Sequence, residues 1–239
     1  MKNISQSQIN LFRSCPYAYA LRYKFRKEAI MFDPSIIEVG KRVHNAIDNY
    51  YKYCYSFDTN EDEIRNRTYK ILRAEWDTTL PPEFLSKAYT CICNFAKFEI
   101  NNLNKGRISK PLTEVKIYHD GMMGIVDYLD LEKPSIVDFK TNTNAGVGQD
   151  SRIQAMMYKI LISEEYKIDF SYFTLQFLFP GESRIVKFDE KTLETKEIIL
   201  QTVKDIREAW AKDEFPKKPR TSKGCNWCSF KYYCGGQDV

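Results

Sequence analysis

Along the first hundred residues the apolar positions recur at helical spacing. Ile9, Leu11, Phe12, Ala18 and Leu21 form one stripe behind the capping candidates Ser5 and Ser7. A turn at Asp33-Pro34-Ser35 separates it from a second helix, predicted over about 36–53, with Val39, Val43, Ile47 and Tyr50 on one face. Two more helical patterns span about 61–76 and 83–103, divided by Pro81-Pro82. Then the period shortens. Runs at 112–119, 123–131 and 135–139 read as strands, separated by Asp120-Gly121 and Lys133-Pro134. A helix over about 151–163 follows, then strands at 170–179 and 183–188 joined through Pro180-Gly181, then a long helix over about 190–212. The tail, 215–234, is rich in Pro, Lys and Cys and is not regular helix throughout. No internal repeat is found. This order predicts an α/β (α+β mixed-sheet) fold with helical cover. It reads as one domain, 1–239, with a mainly helical region 1–110, a core 111–212 and a cysteine-bearing region from 213.

Composition adds limits. The net charge is +4, mildly basic and compatible with an acidic partner such as nucleic acid. The chain is 43% hydrophobic and 28% charged, an ordinary globular balance that excludes disorder as the main state. No apolar run approaches the roughly 18 residues that a membrane helix needs. The first residues lack the apolar core of a secretory signal, so a soluble, cytoplasmic protein with no membrane partner is expected.

Seven cysteines are an odd number. In a reducing compartment thiols bind metal or stay free more often than they pair. Cys225, Cys228 and Cys234 form a C-x2-C-x5-C motif, and Cys15 stands in Ser14-Cys15-Pro16 near the other end. Closely spaced thiolates can fold back onto one soft metal centre, and Cys15 is the natural fourth ligand. Four thiolates suit zinc and iron–sulfur alike, and a buried Cys15 beside a metal-free tail is the plain alternative. Cys54, Cys91 and Cys93 read as ordinary thiols.

A second constellation is Gly124-Ile125-Val126-Asp127 followed by Val137-Asp138-Phe139-Lys140. On a hairpin, period two puts Asp138 and Lys140 on one face and turns Phe139 to the core. Carboxylates from neighbouring strands can then meet over a hard cation such as Mg²⁺ or Mn²⁺. Lys140 would hold a water or offset negative charge, the parts phosphodiester cleavage requires. Cross-strand ion pairing is the plain alternative. His44, on the second predicted helix, is either a further ligand or a satisfied core histidine. Gln154 and Tyr158, four apart on a helix, share a face. Glu114, on the strand before the hairpin, is either an orienting group for Lys140 or a solvated residue. Lys and Arg of the first helix, with Lys217, Lys218, Arg220 and Lys223, could track phosphates.

Taken in order, Ser5-x-Ser7-x-Ile9, Cys15-Pro16, Gly40-x-x-x-His44, Gly124-x-x-Asp127, Asp138-x-Lys140, Gln154-x-x-x-Tyr158 and the final cysteines resemble the RecB-like nucleases of the PD-(D/E)XK superfamily. The likeness is to their iron–sulfur branch, the CRISPR-associated Cas exonucleases of family four and the nuclease domain of AddB-type repair proteins. It spans Ser5 to Cys234. It implies a restriction-endonuclease-like core over 111–212. It implies His44, Asp127, Asp138 and the Phe139 backbone carbonyl as ligands of Mn²⁺ or Mg²⁺, Lys140 as catalytic lysine, and Gln154 and Tyr158 beside the scissile strand. Glu114 joins Asp127, Asp138 and Lys140 as a catalytic candidate. Cys15, Cys225, Cys228 and Cys234 would hold a [4Fe–4S] cluster. The expected activity is a metal-dependent DNA exonuclease on single strands, running 5′ to 3′ and with some endonuclease action, in CRISPR adaptation or DNA repair. Partners would be DNA and a CRISPR integrase or a repair helicase. Asp138 stands where many relatives have Glu, and Val126 replaces the usual Pro-Asp lead. The competing readings are a non-catalytic DNA-binding adaptor that presents ends to such a partner, and a zinc-stapled structural protein.

Overall fold

The computed structural model describes residues 3–30, 34–218, 223–226 and 228–234; Asp33, Arg220 and the side chain of Lys223 lie outside them. Among the described residues, the strand β1 (Ile4–Ser5) leads into helices α1 (Gln6–Ser14), α2 (Pro16–Tyr23) and α3 (Pro34–Asn49). A π-helical turn, Tyr50–Cys54, prolongs α3, and α4 (Glu61–Ala74) and α5 (Pro82–Asn104) complete the helical region. The core then runs β2 (Leu112–His119), β3 (Met122–Asp130), β4 (Ser135–Lys140), α6 (Gln149–Tyr166), β5 (Tyr172–Phe177), β6 (Glu182–Lys187) and α7 (Glu190–Lys212). A short helix α8 (Lys223–Asn226) and a 3₁₀ turn, Lys231–Cys234, carry the tail.

Two differences from the sequence pattern have local causes. The first predicted helix is broken at Cys15, which is extended at φ −162° and ψ 115°. Pro16 causes this, because its ring excludes the helical conformation from the residue before it. The second is β1, too short to show a period. It pairs parallel with β3 at Ile4–Met122 and Ser5–Met123.

The mixed sheet runs β1-β3-β4-β5-β6, with β2 on the other edge of β3. β4 and β5 are parallel and α6 crosses between them. β3 meets β4 only over Tyr128–Asp130. On that edge β1 takes the opposite end, which among the described residues leaves Gly124–Asp127 without a strand neighbour there.

Helices cover both faces. One core packs α1, α6 and α7 against Val126, Leu129, Ile136, Phe173 and Leu175. The other packs α3, α4 and α5 against Tyr128, Val137 and Phe139. Period two along β4 therefore sends Ile136 to the α6 side and Val137 and Phe139 to the α3–α5 side. Asp138 and Lys140 share the α6 side with Ile136.

Beneath α3 and α5 lies a buried ion pair. Arg107 donates to both carboxylate oxygens of Glu99, to Tyr128 Oη at 3.0 Å and to Tyr55 Oη at 3.2 Å. Tyr51 Oη donates to Glu99 at 2.5 Å. Glu99 is 0% exposed and Arg107 6%. Removing one partner strands the other charge in the core. Arg107→Met is expected to lower unfolding free energy by about 3–5 kcal/mol, and Glu99→Leu with Arg107→Met to recover most of that. Urea unfolding of both variants checks it, and equal losses would show that the tyrosine bonds, not the charge, set the stability.

Candidate metal and nuclease site

The site gathers where β3 and β4 part. Gly124 sits under α6, and a Cβ there would meet Tyr158 Cε1 at 2.9 Å and Leu161 Cδ1 at 3.0 Å. The glycine thus lets α6 approach the sheet, and Tyr158 Oη donates to the Ile125 carbonyl on the open strand edge. Just beyond, Asp127 Oδ2 accepts the Phe139 N–H at 2.7 Å. A side-chain carboxylate thereby replaces the missing ladder bond, and it fixes Asp127 against β4.

From the opposite face α3 brings in His44. Its Nε2 donates to the Phe139 carbonyl at 3.0 Å. Its Nδ1 lies 3.6 Å from Glu114 Oε1 and 3.6 Å from Asp127 Oδ2. One ligand atom from each of His44, Glu114 and Asp127 lies within 4.8 Å of the others, so the three can hold a metal ion. Imidazole nitrogen with two carboxylates suits a divalent cation on the hard side of the range.

Glu114 reaches this group by leaving the strand conformation. Its φ is +50°, in the left-handed region, at a cost on the order of 1–3 kcal/mol for a residue with a Cβ. It drops out of the β2–β3 register while its neighbours hold: Thr113 pairs with Tyr128 and Val115 with Val126. Lys140 takes its orienting contact elsewhere. Gln154 Oε1 accepts from Lys140 Nζ at 3.0 Å, and Gln154 Nε2 donates to Asp138 Oδ1 at 2.6 Å and lies 3.2 Å from Tyr158 Oη. Lys140 Nζ also stands 2.7 Å from Asp138 Oδ2 as its charge partner. With the Gln154 bond to Oδ1, both oxygens of Asp138 are thereby engaged.

The structure therefore places His44, Glu114 and Asp127 in one group and Asp138, Lys140, Gln154 and Tyr158 in a second beside it. The Phe139 peptide lies between them. Asp138 falls outside the three-residue group but feels the Asp127 charge. Burial opposes charge on His44, yet Asp127 and Glu114 outweigh it and hold the imidazole pKa well above 6.5. Burial, with Asp127, pushes Asp138 up to about 6, against the pull of Lys140 and His44. Burial likewise raises the Tyr158 phenol, helped by both aspartates. Asp48 and Thr113 carry no chemical motif and stand apart from the sequence pattern. Only their geometry, described below, brings them in.

The cysteines behave differently. Cys15 and Cys228 pack against a small cluster of Ala18, Leu21 and Phe230. Burial raises the Cys228 thiol, and Cys15, Cys225 and Cys234 add to the rise. Among the described residues their sulfurs do not form the tight group seen for His44, Glu114 and Asp127. Cys91 is buried, with its thiol pushed up to about 12. Of the basic residues of the first helical stretch, Lys24 is engaged by Asp213.

Three comparisons bear on this arrangement. A family model described as the PD-(D/E)XK nuclease superfamily matches residues 3–235. No curated protein matches the chain. A solved structure described as "Crystal structure of SSO0001" is similar at 12% identity and TM-score 0.35, over 85% of this chain and 98% of that one, a likeness too loose to carry an argument. No helix among the described residues is long and apolar enough to cross a membrane.

The protonation states give a test. Both folded pKa values stand above their unfolded ones, so both groups favour folding at low pH. The Asp138 contribution is present below about 4 and lost as pH rises through about 6. The His44 contribution is present below about 6.5 and lost as pH rises through its higher folded value. A cation needs both groups deprotonated. Uptake of Mn²⁺ at pH 6 is therefore expected to release about one proton or more per ion, and affinity to rise with pH. Calorimetric titration in buffers of different ionisation enthalpy counts the protons, and none released would remove His44 from the ligand set.

Proposed function

Because the chain belongs to the PD-(D/E)XK nuclease superfamily, we propose that it is a metal-dependent deoxyribonuclease acting on single-stranded DNA. The observation that carries this reading is the convergence of His44, Glu114 and Asp127 on one cation position. Asp138 and the Phe139 carbonyl complete the proposed ligand set. Mg²⁺ or Mn²⁺ bound there would lower the pKa of an attacking water and offset charge on the phosphate.

The chain's own groups do the rest. Lys140, held by Asp138 and Gln154, places a positive charge where the phosphate gains negative charge. Gln154 ties the lysine and the aspartate into one unit, so neither can turn away alone. Tyr158, with its hydroxyl on the Ile125 carbonyl, closes the α6 side of the site and offers a surface beside the scissile strand. A 5′-to-3′ exonuclease direction with some endonuclease action, and a setting in CRISPR adaptation or DNA repair beside an integrase or helicase, are the finer parts of the proposal.

We further propose that Cys15, Cys225, Cys228 and Cys234 hold a [4Fe–4S] cluster, as in the iron–sulfur branch of RecB-like nucleases. Support comes from the donor set, four thiols from both ends of the chain, and from the effect of the other three on the Cys228 thiol. The cluster would be structural, fastening α2 to the tail.

Two experiments test these readings. With Mn²⁺, end-labelled single-stranded DNA is expected to shorten, and Lys140→Ala to slow this by about 10²–10³-fold. The same strand shifted in a gel but never cut, with metal present, would favour the adaptor reading instead. Protein purified without oxygen is expected to be brown, and Cys228→Ser to lose both colour and iron. Colourless protein carrying one zinc per chain would overturn the cluster.

A further inference from the structure

Glu114 supplies one of the three ligand atoms at the cation position, and the residue before it is bonded across to α3. Asp48 lies four residues beyond His44 on α3, so both project from one face of that helix. Thr113 Oγ1 donates to Asp48 Oδ1 at 2.6 Å. Lys52, one turn further on, donates to Asp48 Oδ2 at 2.5 Å. Both oxygens of Asp48 are therefore engaged, and its side chain is buried although it is a carboxylate. Thr113 immediately precedes Glu114.

We propose that Asp48 and Thr113 are positioning residues that set the protein's affinity for a divalent cation by holding Glu114 beside His44. A left-handed Glu114 relaxes toward the extended conformation unless both flanks are fixed. On the far flank Val115 is fixed by its pairing with Val126. On the near flank Thr113 pairs with Tyr128 and is bonded across to α3. That cross bond fixes β2 to the helix that carries His44. It sets the spacing between the Glu114 carboxylate and the imidazole, 3.6 Å here. Without it, β2 would answer only to the sheet, and Glu114 could relax away from His44.

The inference rests on the cation-site reading, and the test separates the two. Mn²⁺ dissociation constants are measured by calorimetric titration and by the Mn²⁺ paramagnetic resonance signal, without DNA. Thr113→Val, which keeps shape and removes the donor, is expected to weaken binding about 10–100-fold, and Thr113→Ser to restore it. Asp48→Ala approaches the same bond from the other side and is expected to give a similar loss. Each single variant combined with Glu114→Gln is expected to bind no more weakly than Glu114→Gln alone, since the positioning acts only through that carboxylate. Fully additive losses, or wild-type affinity in Thr113→Val, would overturn the positioning role while leaving the cation site intact. Native protein that takes up no Mn²⁺ would overturn both. If one single variant gives no cooperative unfolding transition, the other decides the matter.

Discussion

The peptide of Phe139 joins the chemistry to the fold. Its N–H is held by Asp127, its carbonyl by His44, and its ring lies in the core against Phe95 and Phe98, with centroids 5.9 and 5.5 Å away. A residue fixed at all three points cannot slide along or rotate about the strand. Asp138 and Lys140, one step to either end of the same strand, inherit that rigidity. The apolar packing of one side chain therefore determines where two charged neighbours stand. This is why a site rich in mutually repelling carboxylates can persist at the end of an otherwise apolar sheet.

The electrostatics are poised rather than balanced. Glu114, Asp127 and Asp138 bring three carboxylates into a small volume, and His44 and Lys140 are the cations that face them. The crowding shows in the groups themselves: a histidine that prefers to keep its proton and an aspartate lifted to about 6. Each condition is relieved by the same change, the arrival of positive charge without a proton. Groups this perturbed are common at functional sites because buried charge is costly unless the function uses it.

Much of this could be read from the residues alone. The strand of Asp138 and Lys140, the inward turn of Phe139, and the shared face of Gln154 and Tyr158 follow from periodicity, and the structure has all three. What escaped has physical reasons. β1 has two residues and its pairing is long-range, so no local pattern marks it. The break at Cys15 was written in Pro16 but hidden by an apolar stripe that runs on past it. Glu114 turned to His44 rather than to Lys140 because a left-handed residue does not obey period two. The partnership of Asp48 with Thr113 joins positions 65 apart through a hydroxyl and a carboxylate, two of the commonest surface groups.

One buried ring anchors the described part of the tail. Among the described residues beyond Phe215, Phe230 is the buried one, and it rests on Ala18 and Leu21 of α2. A backbone bond of 3.0 Å from Ile30 N–H to the Ser229 carbonyl adds a second point of hold. Burying one phenylalanine contributes about 1.5–3 kcal/mol, well below what holds a whole domain together. The described part of the tail is thus tied to the first helices by one buried ring, a backbone bond, the Lys218 Nζ bond to the Arg13 carbonyl and two cation–ring contacts, Lys217 on Tyr17 and Lys27 on Tyr233. The contact between the two parts of the chain is therefore small in apolar area and rests largely on polar and cation–ring contacts at its margin.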